Sequence, residues 1–474
     1  MVGLGLLWLS TLLGNSFHED EAIYGAWSLA ILRGDPWLWQ TPVDKPPLTF
    51  YPIALSVALF GRHEWAARLP NLLWTLLLLI VVWRIARQRE RPGWLALSFA
   101  LLSPLLWALA ASAFTDPAMV ALSFLAVERA MQAQPGQAGV AFALALLAKP
   151  TALFLLPLLL FSLLFHSTAA LPRFILACAA PLLLAWAWDA SRAASSWWVL
   201  GTQAYGTLGQ ASGRWSSWAT IVTHSLGWLL LLGGLAALSR VRARPFERPQ
   251  PWTLLLALML VGWVPLHILL GMQPWERYLL PLIPIAALLW TEISPVQAMG
   301  IPALWLAPPL VGRLRQPLRF QRPKLLSELP PALNRTTRVA YPPRRLYGLG
   351  ALLGLFLLLI PAFVTHYQLE PHDGAWKGMA EMGAVIEALP GKATVFYLDS
   401  GRPLAWYAAN ARARLFWGGS DAASLREALA QHSASPRYLL LSRASLAARP
   451  GGWKVATETE NFVLLTEPFP EERH

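Results

Sequence analysis

The stretch "NSFHEDEAIYGAW", Asn15 to Trp27, decides how the chain is read. Three acids in succession, Glu19, Asp20 and Glu21, stand beside His18 at the end of an almost wholly apolar run. Charge is otherwise sparse: 14% of residues are Asp, Glu, Lys or Arg, against 56% hydrophobic. Carboxylates grouped at such a boundary mark the place where a greasy segment meets water. Val2 to Leu13 reads as a retained first span, because no small-residue cleavage site follows it. It is short for a crossing, which leaves open a start upstream of Met1.

Outward from that boundary the whole chain reads as membrane protein. Its 474 residues would suffice for two or three soluble domains. A mean hydropathy of +0.45, 25 Trp residues and recurrent apolar runs instead ask for the bilayer as solvent. The net charge of +12 does not point to nucleic acid. The Arg residues cluster in short loops between apolar runs, the positive-inside pattern of an inner (plasma) membrane protein. The one cysteine, Cys178, excludes an intrachain disulfide framework and a CxxC zinc site. It lies in an apolar run as a small packing residue.

Eleven spans are expected, over 2–14, 69–87, 93–112, 117–131, 138–148, 151–166, 173–190, 218–238, 252–271, 277–293 and 346–365. Three basic loops orient them: Arg84 to Arg91, Arg240 to Arg248, and Arg313 to Arg345, where Glu328 is the one acid. All three are cytoplasmic only if the run at 297–310 does not cross. Pro302, Pro308 and Pro309 break it, so it is read as re-entrant or interfacial. The N-terminus then lies inside and the C-terminus outside. After His366 the composition changes. "ATVFYLDS", "PRYLLLSR", "GWKVATE" and "NFVLLTEP" read as strands. "GAWKGMAEMGAVIEAL" and "DAASLREALAQH" read as amphipathic helices. The expected fold is a polytopic all-α membrane domain over 1–365, with a large first outer loop. A small extracytoplasmic α/β domain follows over 366–474.

This topology brings distant polar residues to one outer surface. They are the acidic triplet, Asp44-Lys45 in "WQTPVDKPPLTFYP", Asp116 in "AFTDPAM", Lys149 in "LLAKPTALF", and Glu276, Arg277 and Tyr278 in "QPWERYLLPLIP". Each has a plain structural reading. Asp20 with Glu21 suits the N-cap of an amphipathic helix, and Asp116 before Pro117 suits another. Arg62, Glu64 and Arg68 read best as helix-end charges that cap or snorkel. His224 and His267 read as packed helix histidines. As a set, however, several carboxylates and two lysines suit transfer of a group carried on a phosphate. A carboxylate takes the proton of an attacking hydroxyl or amine. Carboxylates also hold divalent cations, and Lys and Arg bind phosphate oxygens.

The ordered set "EDEAIYGAWSLAILRGD", "VDKPPLTFYPIALSVALFG", "EWAARLP", "FTDPAM", "LLAKPTALFLLP" and "RYLLPLIP" resembles a known group. It looks like the polyprenyl-phosphate-dependent glycosyltransferases of the GT-C membrane fold, which include aminoarabinose transferases and protein O-mannosyltransferases. The resemblance covers about residues 1–365 and says little about which sugar. It implies Asp20 as the catalytic acid of the first outer loop, with Glu21 beside it. Asp116 matches the second-loop acid of the acceptor or metal site. Asp44 matches an acid that in some relatives contacts a divalent metal, although Glu is commoner there. Lys45 and Arg277 would engage the donor phosphate, with Tyr278 lining the pocket. Lys149 matches a position usually followed by Gly-Pro, whereas here Pro150 follows directly. The implied partners are the bilayer, a polyprenyl-phosphate sugar donor and an extracytoplasmic acceptor (lipid, glycan or protein), with inversion at the anomeric carbon.

Two other readings stand beside it. A flippase for a lipid-linked sugar would need polar residues on both sides of the midplane, whereas the unusual residues gather on one face. A scaffold would bind through its C-terminal domain. That domain shows no catalytic motif, and its Asp399, Arg402 and Arg414 read as surface charges.

Overall fold

The computed structural model of the chain describes residues 13–165, 168–194, 196–204, 214–223, 225, 250–293, 374–398, 401–419, 421–432 and 436–467. Most of the expected spans 2–14 and 218–238 lies outside these residues. So do the span 346–365, the run 297–310, the basic loops 240–248 and Arg313–Arg345, His224, Asp399 and the 365/366 domain boundary.

The helices run α1 Glu19–Leu32, α2 Tyr51–Phe60, α3 Glu64–Gln88, α4 Gly93–Leu101, α5 Pro104–Ala110, α6 Asp116–Met131, α7 Pro135–Ala148, α8 Leu156–Leu164, α9 Ala170–Ser191, α10 Trp197–Ala204, α11 Pro251–Leu269 and α12 Leu282–Ile293. Among the described residues α3, α9 and α11 are long and apolar enough to cross a membrane. Counting α4 and α5 as one bent span makes a fourth. The count of eleven is therefore not reached, and part of it draws on residues outside those described.

Two differences from expectation have local causes. The span 93–112 is bent by 77° between α4 and α5. Pro104 supplies no N–H to continue α4, and Ser103 Oγ instead accepts from Leu106 N at 3.3 Å and starts α5. The span 151–166 begins as a 3-10 turn, Pro150–Leu155, before α8. The large first loop is also less open than its name suggests, since it carries α1 and α2.

Helix α6 is buried from Asp116 to Ala130 except at Leu125 and Arg129. An all-round apolar helix belongs at the centre of a bundle, and α6 packs there against α3, α7 and α8. Helix α9 does the reverse. It exposes Leu176, Leu183, Leu184 and Trp186, an apolar face suited to lipid rather than to water.

Residues 374–467 form a five-stranded sheet with α13 Met379–Ala388, α14 Gly401–Tyr407 and α15 Ala422–Gln431. Its strands are β1 Thr394–Tyr397, β2 Arg414–Trp417, β3 Arg437–Ser442, β4 Lys454–Glu458 and β5 Phe462–Thr466, in the order β2-β1-β3-β5-β4. Strand β1 pairs parallel with β2 and β3, and β5 pairs antiparallel with β3 and β4. The four expected strands and two expected helices are present, and β2 and α14 are additional. The period of two along a strand divides the apolar residues between two faces. Phe396, Leu439, Leu441, Val463 and Leu465 pack with Leu425 of α15. Val395, Leu440 and Leu464 join the core that continues into the helical bundle.

That shared core seats the C-terminal sheet and its helices on α1. Trp406 of α14 is 2% exposed and lies over Gly25, where an added Cβ would stand 2.6 Å from the indole. The Phe17 ring packs 5.1 Å from that of Trp406. Arg62 meets Glu387 at 2.8 Å, and Arg33 meets Asn410 at 2.6 Å. Gly25→Val should wedge the two apart at a cost of about 1–3 kcal/mol. Limited proteolysis of the purified protein should then cut between bundle and sheet faster than in the wild type. An unchanged digestion rate would contradict this docking.

Candidate active site

Asp20 and Glu21 of the acidic triplet take different roles, beside the capping His18. His18 is the N-cap of α1, and its Nδ1 accepts from Asp20 N at 3.2 Å. Glu21 closes a capping box by accepting from His18 N at 3.0 Å. Glu21 also pairs with Arg68 of α3, through Nε at 2.9 Å and Nη2 at 2.8 Å, and accepts from Ala113 N at 2.7 Å. Both side chains are fully buried. Arg68 is therefore not a snorkelling helix-end charge. Its Nη1 donates to the carbonyls of Leu13 and Asn15 at 3.1 and 2.8 Å, and its guanidinium lies 5.0 Å from the Phe17 ring. One turn further along α3, Asn71 Nδ2 donates to the carbonyls of Ser112 and Phe114 at 2.6 and 2.7 Å. A bidentate pair and an amide thus tie α1, α3 and the loop before α6 into one block.

Asp20 is the member of the triplet that faces open space. It lines a cavity of about 430 Å³ together with Lys45, Asp44, Lys149, Arg277 and Arg402. Ile23, Tyr24, Trp27, Pro42, Thr115 and Leu200 complete the walls. Five of the eight expected site residues therefore line one space. Glu21, Asp116 and Tyr278 stand behind its walls.

Each cation in the cavity is set against a carboxylate. Lys45 donates to Asp44 at 2.8 Å. Lys149 follows α7 in an extended conformation that turns into Pro150. It donates to Asp116 Oδ1 at 2.7 Å and sits 4.3 Å from the Tyr278 ring. Asp116 is 1% exposed, and its Oδ2 has no hydrogen-bond partner among the described residues. Burial pushes the Lys149 ammonium below the usual lysine range, against the pull of Asp116. Arg277 reaches in from a 3-10 turn, Glu276–Leu279, and donates to Asp20 Oδ2 at 2.8 Å. Its guanidinium is held 4.6 Å from the Phe114 ring and 5.3 Å from that of Trp275.

Arg402, from α14, is the residue the sequence reading missed. It is no mere surface charge: its Nη1 donates to Asp20 Oδ1 at 2.8 Å and lies 3.9 Å from Glu19 Oε2. Burial pushes the Asp20 carboxyl up, but Arg277 outweighs it, with His18 and Arg402 adding to the effect. The group is held below its usual value.

Among the described residues no three His, Cys, Asp or Glu side chains converge. Asp44 already pairs with an ammonium, whereas a divalent cation asks for several oxygen ligands at once.

The fold and its ordered motifs have known counterparts. Residues 44–188 match the family described as dolichyl-phosphate-mannose-protein mannosyltransferase. That segment holds Asp44, Lys45, Asp116 and Lys149, though not Asp20 or Arg277. Two crystal structures of ArnT from Cupriavidus metallidurans have a similar fold, each at 15% identity and a TM-score of 0.57. The one in the apo state matches over 98% of this chain and 97% of its own. The one bound to undecaprenyl phosphate matches over 99% and 97%. No curated protein matches the sequence. The chain thus resembles the polyprenyl-phosphate-dependent transferases of the GT-C fold, as its motifs led one to expect.

Proposed function

We propose that the protein is an integral-membrane glycosyltransferase that moves a sugar from a polyprenyl-phosphate carrier to an acceptor outside the cytoplasm. One observation carries the reading: Asp20, Lys45 and Arg277, far apart in sequence, line a single cavity. The family match and the ArnT-like fold, one example of which holds undecaprenyl phosphate, support it.

In this reading Lys45 and Arg277 bind the phosphate oxygens of the donor by charge-assisted hydrogen bonds. Tyr24 and Trp27 offer aromatic walls to the sugar. Asp20 takes the proton from an acceptor hydroxyl or amine as that atom attacks the anomeric carbon. The bond from the anomeric carbon to the phosphate oxygen breaks, and polyprenyl phosphate leaves with the electron pair. The two cations stabilise the extra negative charge that develops on it. Glu21 acts as a positioning residue, fixing the start of α1 and so the direction of Asp20. Asp116 and Lys149 form the charged wall behind the acceptor.

Binding of undecaprenyl phosphate to the purified protein tests the donor site. Lys45→Ala should weaken it about tenfold to hundredfold, the equivalent of one charge-assisted hydrogen bond at about 1.5–3 kcal/mol. A wild-type protein that does not bind it, or a variant that binds equally well, would contradict the reading.

A further inference from the structure

The two arginines on Asp20 are held unequally. Each takes one carboxylate oxygen at 2.8 Å. Arg277 has a side chain only 11% exposed, fixed between Phe114 and Trp275. Arg402 has a side chain 51% exposed and reaches Asp20 across the rim of the cavity. The C-terminal domain that carries Arg402 is anchored elsewhere. Trp406 seats on Gly25, Tyr407 Oη accepts from Phe17 N at 2.8 Å, and Arg62 pairs with Glu387. Arg402 can therefore leave Asp20 without undocking the domain. Its departure strengthens the base, because a guanidinium on the carboxylate stabilises the anion and opposes proton uptake from an acceptor.

We propose that Arg402 is a movable clamp contributed by the C-terminal domain. It exchanges between Asp20 Oδ1 and the phosphate of the lipid carrier, so that entry of the carrier uncovers the base. The exchange replaces one guanidinium–anion pair with another, and so it need not cost much. Phosphate and carboxylate oxygens suit the planar fork of Arg equally. The consequence is order: the base is freed only when a phosphate is present, and an acceptor alone meets a capped carboxylate. Arg402 is thus a positioning residue for the base and a third cation for the phosphate. This rests on the donor-site reading above.

A double-mutant cycle tests it on the full-length protein in detergent, with undecaprenyl phosphate as the probe and titration calorimetry as the readout. Asp20→Asn removes the competitor for Arg402 and should tighten binding about tenfold. The gain should shrink to about threefold or less when Asp20→Asn is made in an Arg402→Met background, where only Arg277 is released. Arg402→Lys, which keeps the charge, should restore an intermediate gain, and it also serves if the Met variant folds poorly. An equal gain with and without the Arg402 side chain would overturn the clamp and leave Arg402 as a docking charge, with the donor site intact. If the wild type does not bind the probe, the donor-site reading falls, and the clamp falls with it.

Discussion

Arg68→Ala should destabilise the protein by about 3–5 kcal/mol, the cost of leaving one partner of a buried ion pair alone. Glu21 would remain a fully buried carboxylate without its guanidinium. The carbonyls of Leu13 and Asn15 would lose their donor as well. Two backbone donors, His18 N and Ala113 N, would still hold Glu21, so the change should strain the block rather than dissolve it at once. Thermal unfolding in detergent should show a large downward shift in Tm. Arg68→Met with Glu21→Gln should recover part of it, because that pair leaves no buried charge unmatched. A melting curve for Arg68→Ala that overlies the wild type would show the pair to be of little structural weight.

The misreading of Arg68 shows what a single sequence hides. A charge at the start of a helix looks the same locally whether it points to water or inward. Its partner stands 47 residues away, so only the packing of α3 on α1 decides. Arg402 is the stronger case, 382 residues from Asp20. Nothing near it in the chain differs from a surface arginine, and its role follows from the docking of α14 on α1. Strand β2 escaped notice because its residues are mostly exposed, which blurs the alternation that marks a strand. What could be read was what membrane topology determines. Loops forced to one end of a bundle must share a surface, and Asp20, Lys45, Lys149 and Arg277 do so through one cavity. The apolar runs likewise placed α3, α6, α7, α9, α11 and α12 to within a few residues. They did not foresee the bend at Pro104, where the composition stays apolar while the hydrogen bonding changes.

Asp20→Asn should lower transfer by about two to four orders of magnitude, the usual loss when a general base is removed. The amide keeps the shape of the side chain and leaves Glu21, the capping box and the Arg68 pair untouched, so Tm should fall much less than in Arg68→Ala, although Arg277 and Arg402 lose a carboxylate partner. The contrast with Arg68→Ala is diagnostic, since one change acts on chemistry and the other on folding. The direct measurement is release of free polyprenyl phosphate by the purified protein in vesicles, supplied with a polyprenyl-phosphate sugar and a panel of acceptors. Release by the wild type should require an acceptor and should fall at least about hundredfold in Asp20→Asn. Lipid-linked sugar that only changes leaflet with its glycosidic bond intact, or full release by the Asn variant, would contradict the transferase reading.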